Sequence, residues 1–284
     1  MIVRRLLAVS VLVIAGCAGP STDNASLVLQ RTAAKLGAIS SGTLEMRFEM
    51  SVKDAKPGGF ELEGPFSFAS AGHLPVLELE HTRFDGDEEA EAGTFVSTGE
   101  AAWVVRDGEP RRVSDAILRS TGLTDLVRPV RTASAGGSPP ATTDGGGGLA
   151  GLNIDDWIDG DLEVSGGGRV GGVDTDKVDA HLDAGAVMDG LVQLARALGG
   201  GVAAQLEPLD DTERAKVANA ASDATLETWS GKDDHLLRKL VLDVAFGTKN
   251  EALAEAVPQL AEARIKLGAV VTDLNEPVEV DAPE

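Results

Sequence analysis

Four scarcities in this 284-residue sequence narrow what the protein can be. There is one cysteine, Cys17, so no disulfide can form within the chain and the fold must hold on its core alone. Basic residues are few: 25 Lys and Arg stand against 46 Asp and Glu, a net charge of −21. Such a surface repels phosphate backbones, which excludes nucleic acid as a partner, and it offers no basic patch for anionic headgroups. Apolar runs are short after the first 16 residues, and none is long enough to cross a ~30 Å hydrocarbon core as a helix. The four histidines, His73, His81, His181 and His235, show no H-x-x-x-H or H-E-x-x-H spacing, and nothing in the sequence pairs one with a nucleophile. Neither a cofactor nor a metal is expected, and no enzyme.

What is present begins at the N-terminus. Arg4 and Arg5 precede an apolar run from Leu6 to Ile14 that is closed by small residues, the order of a secretory signal. Ile14-Ala15-Gly16-Cys17 resembles the lipobox of bacterial lipoproteins. That resemblance implies cleavage before Cys17, acylation of its sulfur (palmitate being one such chain), and a protein lipid-anchored on the outer, extracytoplasmic side of the cell membrane. Two acyl chains anchor stably where one is marginal, each buried CH₂ contributing ~0.8 kcal/mol. Losing Arg4 and Arg5 takes the net charge from −21 to about −23, so the acyl chains have to hold the protein unaided. The expected division is a signal peptide at 1–16, a lipidated tether at 17–24, and one domain at 25–284. Within that domain, Thr132 to Gly148 is a Gly/Ser/Pro/Thr tract without apolar period and reads as a flexible loop.

Helical composition over Ala25 to Ile39 puts Leu27, Val28, Ala33 and Leu36 on one expected face. From Thr43 to Lys53 the period changes to two: Leu44, Met46, Phe48, Met50 and Val52 alternate with Glu45, Arg47, Glu49, Ser51 and Lys53. Pro57-Gly58-Gly59 reads as a turn, after which Phe60, Leu62, Phe66 and Phe68 continue the pattern. Further strands are expected at Val76–Phe84, Gly93–Thr98 and Ala101–Val105, with Asp107-Gly108 as a hairpin turn. Helices are expected at Ser114–Leu118, Thr124–Val127, Leu149–Ile158, Gly185–Leu198 and Thr212–Ala221. Strands return at Asp161–Ser165, Val170–Leu182, Ala224–Trp229, Leu236–Phe246 and Ala263–Asp273, and a short edge strand is expected near Asn275–Val280. Hairpin-linked strands of this kind imply an antiparallel sheet with one apolar and one solvated face.

Three motifs look catalytic or ligand-binding and are read otherwise. Gly166-Gly167-Gly168-Arg169-Val170-Gly171 satisfies G-x-G-x-x-G, but it leads into a strand and not into the helix N-terminus that would hold a pyrophosphate, so a glycine-rich hairpin loop is expected. Ala38-Ile39-Ser40-Ser41-Gly42 runs from helix to strand, the reverse of a nucleophile elbow. The run Asp85-Gly86-Asp87-Glu88-Glu89 lacks the ligand spacing of an EF-hand loop and reads as a solvated hairpin tip.

The order of parts resembles the LppX/LprG group of actinobacterial lipoproteins and, more distantly, the LolA/LolB lipoprotein carriers. The likeness is carried by the helix Ala25–Ile39 feeding the strand Thr43–Lys53, by Gly172-Val173-Asp174-Thr175-Asp176-Lys177-Val178 running on to Leu198, and by Trp229, His235-Leu236-Leu237-Arg238-Lys239-Leu240 and Asn275-Glu276-Pro277-Val278. It implies an α+β fold, a curved antiparallel sheet forming an open half-barrel whose concave face is covered by helices. It also implies acyl chains of a lipid or lipoprotein held in a hydrophobic cavity between them. Leu44, Met46, Phe48, Met50, Phe60, Leu62, Phe66 and Phe68 would then face inward, with Val187, Leu191 and Leu194 on a lid helix. The same residues fit a filled core, which leaves a second reading open: an anchored, non-catalytic scaffold that engages a basic envelope protein through its acidic surface.

Overall fold

The computed structural model describes residues 22–52, 54–68, 74–86, 88–114, 157–187, 212, 215, 221–247 and 262–284. Cys17, the 132–148 tract, Leu191, Leu194, His73 and nearly all of the helical segments expected between 115 and 220 lie outside the described residues.

Eleven strands form one sheet: β1 Ser41–Ser51, β2 Gly58–Ser67, β3 Val76–Asp85, β4 Glu88–Thr98, β5 Ala102–Arg106, β6 Glu109–Arg112, β7 Ile158–Val170, β8 Val173–Leu182, β9 Ala221–Gly231, β10 Leu237–Phe246 and β11 Arg264–Thr272. Their order is β6-β5-β4-β3-β2-β1-β11-β10-β9-β8-β7, antiparallel throughout. The sheet is thus two up-and-down meanders, β1–β6 and β7–β11, joined where β1 lies beside β11 from Thr43↔Thr272 to Ser51↔Arg264. Among the described residues β6 and β7 are the edges and no strand joins them, so the described sheet is open. Register shifts at Arg83/Phe84, Gly166/Gly168, Leu237/Lys239 and Ala245/Phe246 are bulges, which bend a strand and sharpen its twist. The result is the curved half-barrel.

Local chemistry accounts for the corners. Asp107 and Gly108 take φ of 52° and 77°, the paired positive values of a type I′ hairpin between β5 and β6. Gly171 and Gly172, at 55° and 78°, turn β7 into β8. Pro57-Gly58-Gly59 is not the turn it reads as; the bend falls at Asp54 and Ala55, and Gly58 and Gly59 belong to β2. Gly59 has to lack a side chain because a Cβ there would run into the Phe48 carbonyl oxygen and the Phe84 ring. Ile158 opens β7 where a helix was expected to end, and 275–280 is irregular instead of a strand.

The single long helix among the described residues, α1 (Thr22–Lys35), packs on β7, β8 and β9. Its buried stripe is Ala25, Leu29 and Thr32 with half-buried Val28, spaced i, i+3, i+4, i+7. The expected face is corrected here: Leu27 is 42% exposed and Ala33 is exposed, because small Ala25 and Thr32, not the larger apolar neighbours, let the helix approach the sheet. Thr32 returns its hydroxyl to the Val28 carbonyl at 2.9 Å. The helix ends in a 3₁₀ turn, Leu36–Ala38.

Two faces result. The face under α1 carries a packed cluster that includes Leu29, Leu162, Val178, Leu226, Leu242 and Val244. The opposite face is charged, with ladders of ion pairs such as Arg47 with Glu61, and Arg264 with Asp243 at 2.5 Å. At its centre the Trp229 ring lies between the ammonium groups of Lys177 and Lys239, 5.1 Å and 4.3 Å from its centroid. Burial alone would lower the Lys177 pKa, but hydrogen bonds and attraction from Asp179 and Glu227, at 2.6 Å and 2.5 Å, outweigh it and raise the group above its ordinary 10.5. Since the folded value exceeds the unfolded one, this stabilisation is complete below about pH 10.5 and is lost as pH rises through the folded value. Replacing Lys177 by Met should therefore flatten the alkaline limb of a stability-versus-pH curve measured by urea unfolding. Gly167 packs under the same tryptophan: a Cβ there would lie 2.5 Å from the Thr175 hydroxyl and 2.6 Å from Trp229 Cδ1. Gly167→Ala should cost roughly 1–3 kcal/mol by overpacking, whereas Gly166→Ala, with nothing within 4 Å of its Cβ, should stay within about 0.5 kcal/mol of the parent. Thermal melts of the two variants check this; equal melting temperatures would contradict it.

Candidate functional site

Strand alternation puts Leu44, Met46, Phe48 and Met50 on the face shared with α1 and the packed cluster. On one side they stand opposite Val271, Ala269, Leu267 and Ile265 of β11. On the other, Met46 faces Leu62, Phe48 faces Phe60, and Gly42 faces Phe66 of β2. The Phe48 and Phe60 rings stack at 5.3 Å between centroids, and Phe66 and Phe68 meet at 5.2 Å. The apolar surface goes on through Leu77, opposite Phe66, and through Leu79, Phe95 and Val104 on β3, β4 and β5.

Burial divides this surface in two. Over β8, β9 and β10 it is packed: Val178, Leu226, Leu242 and Val244 are each no more than 3% exposed. Over β1 and β2 it is half open. Leu44, Met46, Phe48, Phe60 and Leu62 are half-buried, and Met50 and Phe68 are 44% and 43% exposed. Phe66 is buried. Val187, expected on a lid with the β1 and β2 residues, is fully buried and sits in the packed cluster with Ala25, Leu29 and Leu162. The structure therefore brings the eight sheet residues to one surface and places Val187 against its other half. Leu77, Leu79 and Phe95 were not singled out from sequence, though Leu77 and Leu79 alternate with Glu78 and Glu80 just as Met46 and Phe48 do with Arg47 and Glu49.

Polar groups stand on this face too: His81 is opposite Leu62 in register, and Thr228 and Ser230 of β9 are buried there. His81 stacks on Phe60 at 6.1 Å, Arg83 stands opposite Phe60 in register, and Arg238 of β10 is 7% exposed. A depression of about 350 Å³ lies at the join of the two meanders, lined by the charged groups Glu45, Arg47, Glu61, Glu63 and Lys239, with Met46, Leu62, Gly268, Ala269 and Val270 between them. Its mixed charges do not suit a hydrocarbon chain.

The motifs read as non-catalytic fall accordingly. Gly166 to Gly168 lie inside β7 and not in the hairpin loop expected of them; only Gly171 of the motif falls in the turn, which leads to another strand, so among the described residues no helix starts after it. Ser40 donates its hydroxyl to Asn275 Oδ1 at 2.8 Å. Asp85 to Glu89 straddle the β3–β4 corner, where Gly86 takes φ 70°. Among the described residues no group of three or more His, Cys, Asp or Glu side chains is placed to hold a metal ion. His181 is exposed 3.8 Å from Asp223, and His235 occupies the β9–β10 turn.

No family model matches this chain, and no curated protein matches it. Solved structures do. The crystal structure of LprF from Mycobacterium bovis covers 94% of this chain and 99% of its own, at 15% identity and a TM-score of 0.52. MucB in complex with MucA aligns over 91% of this chain and 62% of its own at 13% identity and a TM-score of 0.26. A putative outer membrane lipoprotein-sorting protein domain from Vibrio parahaemolyticus aligns over 91% and 95% at 9% identity and a TM-score of 0.23. The last two superpose too loosely to add to the assignment. The LprF match, together with the open eleven-stranded sheet, shows that this chain has the fold of LprF, a curved open half-barrel.

Proposed function

We propose that this protein is an envelope lipoprotein, anchored through acylated Cys17, that binds lipid acyl chains on the apolar face of its sheet for lipid or lipoprotein transport. The observation that carries the reading is the uneven burial of that face. A sheet whose only task was to close a core would bury β1 and β2 as completely as β9 and β10. Instead, two stacked phenylalanines, two methionines and two leucines stay partly open in one continuous patch, and patches of that kind on soluble domains mark binding surfaces. Met46 and Met50 are unbranched and adapt to chains of varied shape.

The direct test is native mass spectrometry of the full chain carrying Cys17→Ser, which removes covalent lipid, after detergent-free purification. Co-purified lipid is expected; a clean apo mass would favour the scaffold reading, in which the acidic surface engages a basic partner. Substitution separates the faces. Leu62→Arg introduces a charge where chains would lie and should weaken binding of a fluorescent fatty-acyl probe at least ~10-fold, since even a few lost CH₂ contacts at ~0.8 kcal/mol each reach that size. Glu63→Gln, one residue along on the charged face, should leave it unchanged. Equal effects of the two would remove the apolar face from the mechanism. Palmitate labelling lost in Cys17→Ser checks the anchor.

A further inference from the structure

The β9–β10 hairpin buries an arginine whose hydrogen bonding is half complete. Arg238 lies two residues before Leu240, on the apolar side of β10, where the register with β9 slips between Leu237 and Lys239. Its side chain is 9% exposed. Nη2 donates to Asp234 Oδ2 at 2.5 Å, but the other carboxylate oxygen, Oδ1, already accepts the Leu236 N–H at 3.0 Å. Asp234 thus meets the guanidinium through one oxygen, not through the two-oxygen fork that a guanidinium edge matches. Nε, which shares that edge with Nη2, is buried without a partner, and so is Nδ1 of His235 in the same turn.

A buried N–H without an acceptor costs roughly 1–3 kcal/mol, and an apolar side chain of similar volume would avoid that cost. A clamp for the hairpin would not need it either, because the Asp234 carboxylate is 39% exposed and a surface pair would serve. The open Nε is better explained by an anionic oxygen that arrives with a ligand. Position agrees with this. Leu240 stands opposite Ala269, and Ala269 opposite Met46, so Arg238 lies one step beyond the row that leads to the half-open patch. Two strand spacings, about 10 Å, separate β10 from β1. A single lipid spans that distance with its chain over Met46 and Leu62 and its headgroup at Arg238.

We propose that Arg238 binds the anionic oxygen, phosphate or carboxylate, of the ligand's headgroup, and that Asp234 holds the guanidinium in place through Nη2 while leaving Nε free for it. The inference rests on the acyl-chain reading of the apolar face. It gives a chain of net charge −21 a local preference for acidic over uncharged lipids.

The test compares two pyrene-labelled probes with the same acyl chains, phosphatidylglycerol and diacylglycerol, titrated against the purified full chain. The wild type should bind phosphatidylglycerol about ten-fold more tightly. Arg238→Gln should abolish that margin while diacylglycerol binding stays unchanged. Asp234→Asn, whose amide oxygen can still accept from Nη2 and so hold the guanidinium, should keep the margin. If the pair were only a hairpin clamp, both variants would lose stability together and neither would change the ratio, and that result overturns the proposal. Equal wild-type binding of both probes overturns the headgroup site alone; binding of neither overturns the carrier reading and this site with it. Inorganic phosphate that raises the melting temperature of the wild type but not of Arg238→Gln, with no discrimination between the lipids, would give the site to a free anion and overturn the headgroup assignment.

Discussion

The β1–β11 ladder is the constraint on which the rest of the molecule depends. Short connections link β1 through β6 and β7 to β8, and longer segments link β8 to β9 and β10 to β11, but β1 and β11 come from opposite ends of the domain and make the seam between the two meanders. Closing it makes one continuous surface of two half-sheets. The seam is also locked at its end: Asn275 accepts from both the Ser40 N–H and the Ser40 hydroxyl, its own N–H donates to the Ser41 carbonyl, and the Ser41 hydroxyl reaches the Glu276 carbonyl. Pairing so distant in sequence pays its loop entropy before any reward, so the seam is expected to form late and to limit the folding rate.

The two halves do different work on the joined face. β7 to β10 meet α1 and complete a packed core, with small residues such as Ala25, Ala180 and Ala224 letting the helix come close. β1 and β2 keep the same alternation but meet less, and their phenylalanines and methionines remain partly open. On the reverse face, cations stand among carboxylates in short ladders and around Trp229, so the charge there is largely compensated within the sheet. One strand pattern, apolar in and charged out, thus yields a core in one half and an accessible hydrocarbon surface in the other.

Much of this is legible in the residues. The alternation from Leu44 to Met50 states β1 and its facing without ambiguity, and Asp107-Gly108 announces its turn because both positions need positive φ. β6 escapes notice since Glu109-Pro110-Arg111-Arg112 has no apolar period; as an edge strand it needs none, and its proline suits an edge. Pro57-Gly58-Gly59 misleads because its glycines serve close packing against Phe48 and Phe84 and not a bend. The buried face of α1 differs from the expected one because close approach to the sheet selects small Ala25 and Thr32, while Leu27 stays outside. Difference in burial between β1 and β9 could not be read at all, since a filled core and an open wall require the same period of two. The sequence shows Arg238 only as a charge in a strand; that its Nε has no partner depends on how the turn sets Asp234 against it.

The position of α1 has a mechanical consequence. Four residues, Ala18 to Ser21, separate the proposed anchor Cys17 from Thr22, so five Cα-to-Cα steps join them. Five such steps, even fully stretched, reach only about 17 Å. Because α1 is docked on β7, β8 and β9, acylation of Cys17 as proposed would hold the C-terminal half of the sheet near the bilayer and let the molecule tilt but not move away from it. Any cargo would have to be taken up and handed over within one protein diameter of the membrane, by swinging about a fixed pivot.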